Sequence, residues 1–206
     1  GACTVLIGEL VDGEMQYESM TSCLVPLGNV QGKHVITIEG INFPKELNPV
    51  QQAMSDCGAT QCGFCTPGFV MSLAGFCLSD KEPTTSNAIT AVDGNICRCT
   101  GYKSIEKAAM QVASFLEKRN GTNPVSFAAE KKILPAYLTK IKTRLQSFFS
   151  NGLKTHDSGL TTAVGGGTDL YVQQHDEVTH SDIHFVFDKV ELNTIAEKDK
   201  TIILGP

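Results

Sequence analysis

Apolar and polar positions change rhythm several times along the chain. Residues 3–9, CTVLIGE, are a β-branched, apolar run that reads as a strand, with a turn at DGE after it. Residues 34–40, HVITIEG, set Val35, Thr37 and Glu39 against Ile36 and Ile38, which predicts a second strand. Between them lies MTSCLVPLGN, loop-like with its Pro26 and Gly28. After EGINFPKELNP the rhythm becomes helical. Asn48 caps a helix with Pro49 at its first position and Gly58 at its end. Thr66 and Pro67 repeat the start signal for a helix over about 67–79, and a shorter one is expected over about 86–92, ended by Gly94. A fourth begins near Ser104, with Ile105, Ala108, Ala109, Val112, Phe115 and Leu116 on one face, and Gly121 stops it.

The stretch NGTNPVSFAAEKK reads as a polar linker. Beyond it Leu134, Tyr137, Leu138, Ile141, Leu145, Phe148 and Phe149 recur at helical spacing. LTTAV then runs as a strand into the glycine turn GGGTDL, and IHFVFD and TIIL read as two further strands. The expected architecture is α+β and multidomain: a β-rich block over 1–44, a four-helix bundle over 45–120, a linker over 121–131 and a third block over 132–206. That last block stops at Pro206 directly after a strand, where a domain would normally continue.

Composition narrows the function. The chain has 206 residues and a formal net charge of −5, with no basic stripe, so nucleic acid is not an expected partner. No apolar run is long enough to span a membrane, and no signal peptide stands at the front. Eight cysteines are the unusual feature. Their density is too low for a disulfide miniprotein, and the tight pairs CGFC and CRC point to metal or redox chemistry in a reducing, cytoplasmic compartment.

Cys62 and Cys65 form C-x2-C just before a predicted helix, whose free N–H groups and positive dipole end stabilise thiolates. Cys97 and Cys99 form C-x-C ahead of the fourth helix. In an extended or turning loop these two can face one centre, so two loops can present four sulfurs to one site. Four thiolates suit a structural zinc ion or an iron–sulfur cluster, and unligated buried thiols are the third possibility. The C-x-C half is atypical of zinc and more natural for a binuclear cluster, in which each pair can hold one iron. Cys57 and Cys77 match no ligand position and read as small apolar residues at helix interfaces.

QCGFCTPGFVMS followed by GNICRCTGY resembles the iron–sulfur region of the xanthine dehydrogenase and xanthine oxidase family, within the molybdenum hydroxylases. ACTVL, SCLVPL, VITIEGI and NPVQQAM fit in the same order, densely over residues 1–118 and more loosely through VGGGTDL. The resemblance implies two [2Fe–2S] clusters. Cys62, Cys65, Cys97 and Cys99 would hold the one nearest the molybdenum cofactor. Cys3 and Cys23 would be the third and fourth ligands of a plant-type cluster in a ferredoxin-like β-grasp domain, whose other two ligands would precede Gly1. Gln61 and Cys99 would lie against the pterin. The family pattern thus predicts a chain truncated at both ends.

VGGGTDL is neither a dinucleotide fingerprint nor a phosphate loop with its lysine. It resembles the turn that opens the α/β FAD-binding domain of the same family, with Gly165, Gly166, Gly167, Thr168 and Asp169 against the FAD pyrophosphate. His175, His180 and His184 read as exposed polar residues rather than a metal cluster. The implied function is electron transfer in a xanthine dehydrogenase-type oxidoreductase. Electrons from a molybdopterin site on a partner subunit or domain would reach FAD and then NAD through the two clusters, in a complete enzyme that is a dimer. No residue here is assigned to catalysis of the hydroxylation. A related aldehyde or N-heterocycle hydroxylase, a zinc-stabilised structural module and a free ferredoxin-like carrier are the competing readings, and the FAD-like segment argues against the last.

Overall fold

The computed structural model describes residues 1–150, 162–181, 183–186, 192, 194–198 and 201–204. Its contacts form two compact units, Gly1–Cys23 with Gly32–Leu153, and Leu24–Gln31 with Lys154–Pro206.

The first unit begins with a hairpin. Strands β1 (Thr4–Val11) and β2 (Glu14–Thr21) pair antiparallel from Thr4↔Thr21 to Val11↔Glu14. Asp12 and Gly13 both take positive φ, at 50° and 78°, the conformation a two-residue hairpin turn demands. Strand β3 (His34–Ile36) pairs on the other side of β1, giving the order β2-β1-β3. The strand expected over 34–40 is therefore shorter, because Ile38–Ile41 turns into a 3-10 helix. β2 had no sequence signal. It is an edge strand, polar on both faces, whose only buried side chain is Tyr17.

Helix α1 (Pro49–Asp56) starts as its sequence predicts. Asn48 accepts from the Gln51 N–H at 2.9 Å while the Gln51 side chain accepts from the Asn48 N–H at 3.0 Å. Helix α2 (Thr66–Leu78) is the centre of the unit, and every residue from Gly68 to Leu78 is buried. A helix apolar on all sides must be surrounded. α1, α4 (Lys103–Leu116) and the hairpin pack against it, and α3 (Thr85–Thr90) packs on α4. Leu6, Tyr17 and Ile36 of the sheet share one apolar cluster with Phe69, Leu73, Ile105 and Leu116 of the helices.

The stretch read as a linker over 121–131 is partly helical. Asn123 caps α5 (Pro124–Glu130) with Pro124 in its first turn, and Phe127 and Ala128 are buried in the core. The helix expected to run through Leu134–Phe149 is divided. Pro135 leads into a 3-10 helix at Ala136–Lys140, and α6 (Ile141–Ser150) follows. Leu138, Ile141 and Leu145 point inward as the spacing predicts, whereas Phe148 is exposed and the Phe149 side chain lies outside the described set.

His34 sits between two tyrosines. The Tyr17 hydroxyl is 2.9 Å from His34 Nδ1, and the Tyr17 and Tyr137 rings meet the imidazole edge-on at 5.9 and 6.0 Å. Burial, with the Arg144 charge nearby, holds His34 below its ordinary pKa of 6.5. Above pH 6.5 the imidazole is neutral in folded and unfolded chains alike. As the pH falls below 6.5 the unfolded chain takes up the proton first, so stability is lost. The denaturant midpoint is expected to fall on acidification below that pH, and His34→Gln to flatten that part of the curve. An unchanged pH profile in the variant contradicts this.

In the second unit, β4 (Thr162–Val164) and β5 (Ile183–Phe185) pair parallel, joined through α7 (Leu170–Gln173) and α8 (His175–Thr179). A parallel pair needs such a crossover. β6 (Ile195–Lys198) and β7 (Thr201–Leu204) form a separate antiparallel pair. Of the strand read at IHFVFD, Phe187 and Asp188 lie outside the described residues.

Candidate metal centre

The C-x2-C thiols stand on the turn leading into α2. Cys65 is the N-cap of that helix, and Gly63 takes φ 85° to close the turn. The C-x-C thiols stand on the loop before α4, where Gly101 and Tyr102 both take positive φ, at 63° and 67°. A left-handed tyrosine costs roughly 1–2 kcal/mol. Here the strained turn lets the Tyr102 hydroxyl accept the Cys97 N–H at 3.0 Å. Thr100 lies under the same loop, its hydroxyl accepting the Tyr102 N–H at 3.2 Å and sitting 3.3 Å from Cys97 Sγ.

The sulfurs meet across the two loops. Cys99 Sγ is 3.6 Å from Cys62 Sγ, and the Cys65 thiol engages that of Cys97. Spacing had grouped them by motif, one iron to C-x2-C and one to C-x-C. The chain reversal at Gly101–Tyr102 lays one loop against the other and crosses the pairs. Two sulfurs bound at about 2.3 Å to one tetrahedral metal stand about 3.8 Å apart, so the 3.6 Å pair is at ligating distance. Two thiol pairs fit a centre with two metal atoms.

The electrostatics favour thiolates on one member of each pair. Hydrogen bonds from Thr100, through its hydroxyl and its N–H, pull Cys97 down to about 7. The Phe64 N–H, and then the Cys99 thiol, lower Cys62. Burial, and then the hydrogen bond with Cys97, push Cys65 up to about 11. Cys99 is raised by the hydrogen bond it gives Cys62. Gln61, Cys62 and Cys99 are exposed, and Phe64 and Ile96 beside them are 81% and 74% exposed.

A second thiol pair lies at the open end of the hairpin. The Ser22 N–H bonds to the Cys3 carbonyl at 3.1 Å, continuing the β1–β2 ladder, and Cys3 Sγ is 3.4 Å from Cys23 Sγ. Their shared hydrogen bond lowers Cys3 and raises Cys23. The remaining cysteines lie elsewhere. Cys77 is fully buried in α2, and burial pushes its thiol up to about 12, which suits an inert core residue. Cys57 packs against the core, 3.3 Å from Gln111 Oε1.

In the second unit the glycine turn follows β4. Gly167 takes φ 72°, and a Cβ built on Gly165 or Gly166 would meet nothing within 4 Å, so that side of the turn is open. The segment read only as loop buttresses the turn. Asn29 donates to the Gly165 carbonyl at 3.0 Å, and a Cβ on Gly167 would stand 3.1 Å from Pro26. Among the described residues Asn29 Oδ1 is buried without a partner. The open side of the glycine turn leaves room for a polar ligand such as a phosphate-bearing cofactor to approach the backbone. Asp169 is turned inward on the chain, accepting from the Leu170 N–H at 2.8 Å. The histidines do not converge: His175 bonds Thr179, His180 bonds the Asp176 carbonyl, and His184 lies on β5.

Comparison with known proteins decides the family. Residues 37–110 match the family described as [2Fe-2S] binding domain. Xanthine dehydrogenase of Emericella nidulans is 43% identical over 55% of this chain, and aldehyde oxidase 3 of mouse 42% identical over 53%. The chain belongs to the molybdenum hydroxylase family. It spans 8% of the length of each of those two relatives. Among solved structures, the aldehyde oxidoreductase of Desulfovibrio gigas is 34% identical over 58% of this chain and 13% of its own, with a TM-score of 0.48. The residues that reasoning from the molybdenum hydroxylase pattern had passed over are Thr100 and Tyr102. Their signal was the CTGY that ends the motif: a glycine next to a tyrosine, both in positive φ.

Proposed function

We propose that the chain is the electron-transfer part of a molybdenum hydroxylase of xanthine dehydrogenase type. It would relay electrons from a molybdopterin site through two [2Fe–2S] clusters to FAD and NAD. The observation that carries this reading is the crosswise meeting of four thiols, Cys62 with Cys99 and Cys65 with Cys97, on loops spanned by the [2Fe-2S] binding domain match. Cys62 and Cys99 would hold one iron, Cys65 and Cys97 the other, and Cys3 and Cys23 would supply two ligands of the second cluster. Bound clusters supply one-electron storage and transfer.

The chain's own residues prepare these sites. Thr100 and the Phe64 N–H direct hydrogen-bond donors at Cys97 and Cys62, which favours the thiolate forms a metal requires. The exposed edge bearing Gln61, Phe64, Ile96 and Cys99 is the face that would meet a molybdopterin-binding subunit or domain. An apolar rim around exposed ligands is suited to burial by a partner. Gly165, Gly166, Gly167 and Thr168 would present backbone N–H groups to the FAD pyrophosphate. The hydroxylation itself would belong to the molybdopterin-bearing partner.

The relay is tested by anaerobic addition of NADH to the intact protein. Bleaching of the iron–sulfur absorption together with the flavin band supports a chain of centres ending at NAD. Reduction by dithionite but not by NADH would remove NAD as the acceptor and favour the aldehyde oxidase relatives as the guide.

A further inference from the structure

The two thiol sites are joined by a buried polar contact that neither site needs for its own ligands. Thr4 adjoins Cys3, Asn95 stands two residues before Cys97, and Ser72 lies on α2, the helix that Cys65 caps. All three are buried, at 8%, 5% and 3% exposure. Asn95 Nδ2 donates to Ser72 Oγ at 2.7 Å. The Thr4 hydroxyl gives its proton mainly to the Gly1 carbonyl at 2.6 Å, with a longer 3.4 Å approach to Asn95 Oδ1. Gly68 makes this convergence possible. A Cβ there would clash with the Gly1 carbonyl oxygen and stand 2.6 Å from Asn95 Oδ1. The strand start bearing Cys3, the loop bearing Cys97 and the first turn of α2 therefore close on one point. A buried carboxamide is costly unless bonded, so this one holds its neighbours in a defined arrangement.

We infer that Asn95 is a positioning residue that sets the separation of the Cys3/Cys23 site from the Cys62/Cys65/Cys97/Cys99 site, and with it the electronic contact between the centres they hold. This rests on the reading that both sites hold [2Fe–2S] clusters. Asn95 touches no thiol and is itself no ligand. Its effect is the distance and orientation between two sets of ligands borne by different loops.

The test uses the intact protein, fully reduced, in which two paramagnetic clusters split each other's EPR lines by a coupling that falls with the cube of their distance. Two variants move the contact without altering a ligand. Asn95→Ala removes the tie to Ser72, and Gly68→Ala pushes Gly1 and Asn95 away from α2. Both are expected to keep wild-type iron and acid-labile sulfide, to lose or shift the resolved splitting, and to slow electron equilibration between the clusters. Unchanged splitting in both variants at full iron content overturns the inference. So does loss of iron from one site, since Asn95 would then serve the assembly of that site alone. A wild-type protein with iron for only one cluster overturns the two-cluster reading itself, and is recognised before any variant is made.

Discussion

Replacing Cys62 with serine is expected to remove one [2Fe–2S] cluster and leave the other. Cys62 lies 3.6 Å from Cys99, and its thiol is lowered by the Phe64 N–H, so it stands ready as a ligand. Serine offers a hard oxygen with a far higher pKa, and a four-thiolate site that loses one thiolate binds iron poorly. Iron in the intact protein should fall by about two atoms per chain, with one of the two reduced-state EPR signals lost. The signal assigned to the Cys3/Cys23 site should persist. Electron flow to NAD should stop while the molybdenum site remains assembled. Wild-type NAD reduction in the variant would contradict the assignment of Cys62.

The second large effect is on stability. Phe69→Ala, in the first turns of α2, removes a fully buried ring from the centre of the larger unit. Loss of a buried phenylalanine costs about 3–5 kcal/mol, through lost transfer energy and the cavity left behind. Most single domains have only about 5–15 kcal/mol in total, so the variant should unfold at much lower denaturant concentration. It should also incorporate less iron, because α2 carries Cys65 at its N-cap. A midpoint within about 0.5 kcal/mol of wild type would mean that the helix is not the centre of the core.

Much of this was legible in the chain because local signals agreed with the fold. Asn48-Pro49 announces α1 as it forms, and the spacing Ile105, Ala108, Ala109, Val112 and Leu116 is the buried face of α4. The same Asn-Pro signal at Asn123-Pro124 is masked by the turn-forming residues before it and the lysines after it, although Phe127 sits among them at a core position. β2 could not be read, since an edge strand with one buried side chain has no alternation to display. Pro135 divided a helical pattern whose inward positions were nonetheless correct.

At the metal centre the residue types and spacings were plain, but the partners were not. Which sulfur meets which depends on how two loops fold over each other. That is decided by Gly63, Gly101 and the strained Tyr102 rather than by the interval between cysteines. The Asn95 contact lies further still from any pattern. It joins residues 4, 72 and 95 through side chains and depends on a missing Cβ at Gly68.

Cys62, Cys65, Cys97 and Cys99 are proposed to hold a binuclear iron–sulfur cluster. The most direct measurement is metal and acid-labile sulfide analysis of the anaerobically purified protein and its Cys62→Ser variant, read beside their visible spectra. A brown protein with equal iron and sulfide is expected, with a loss of about two of each in the variant. A colourless protein containing zinc and no sulfide would contradict it.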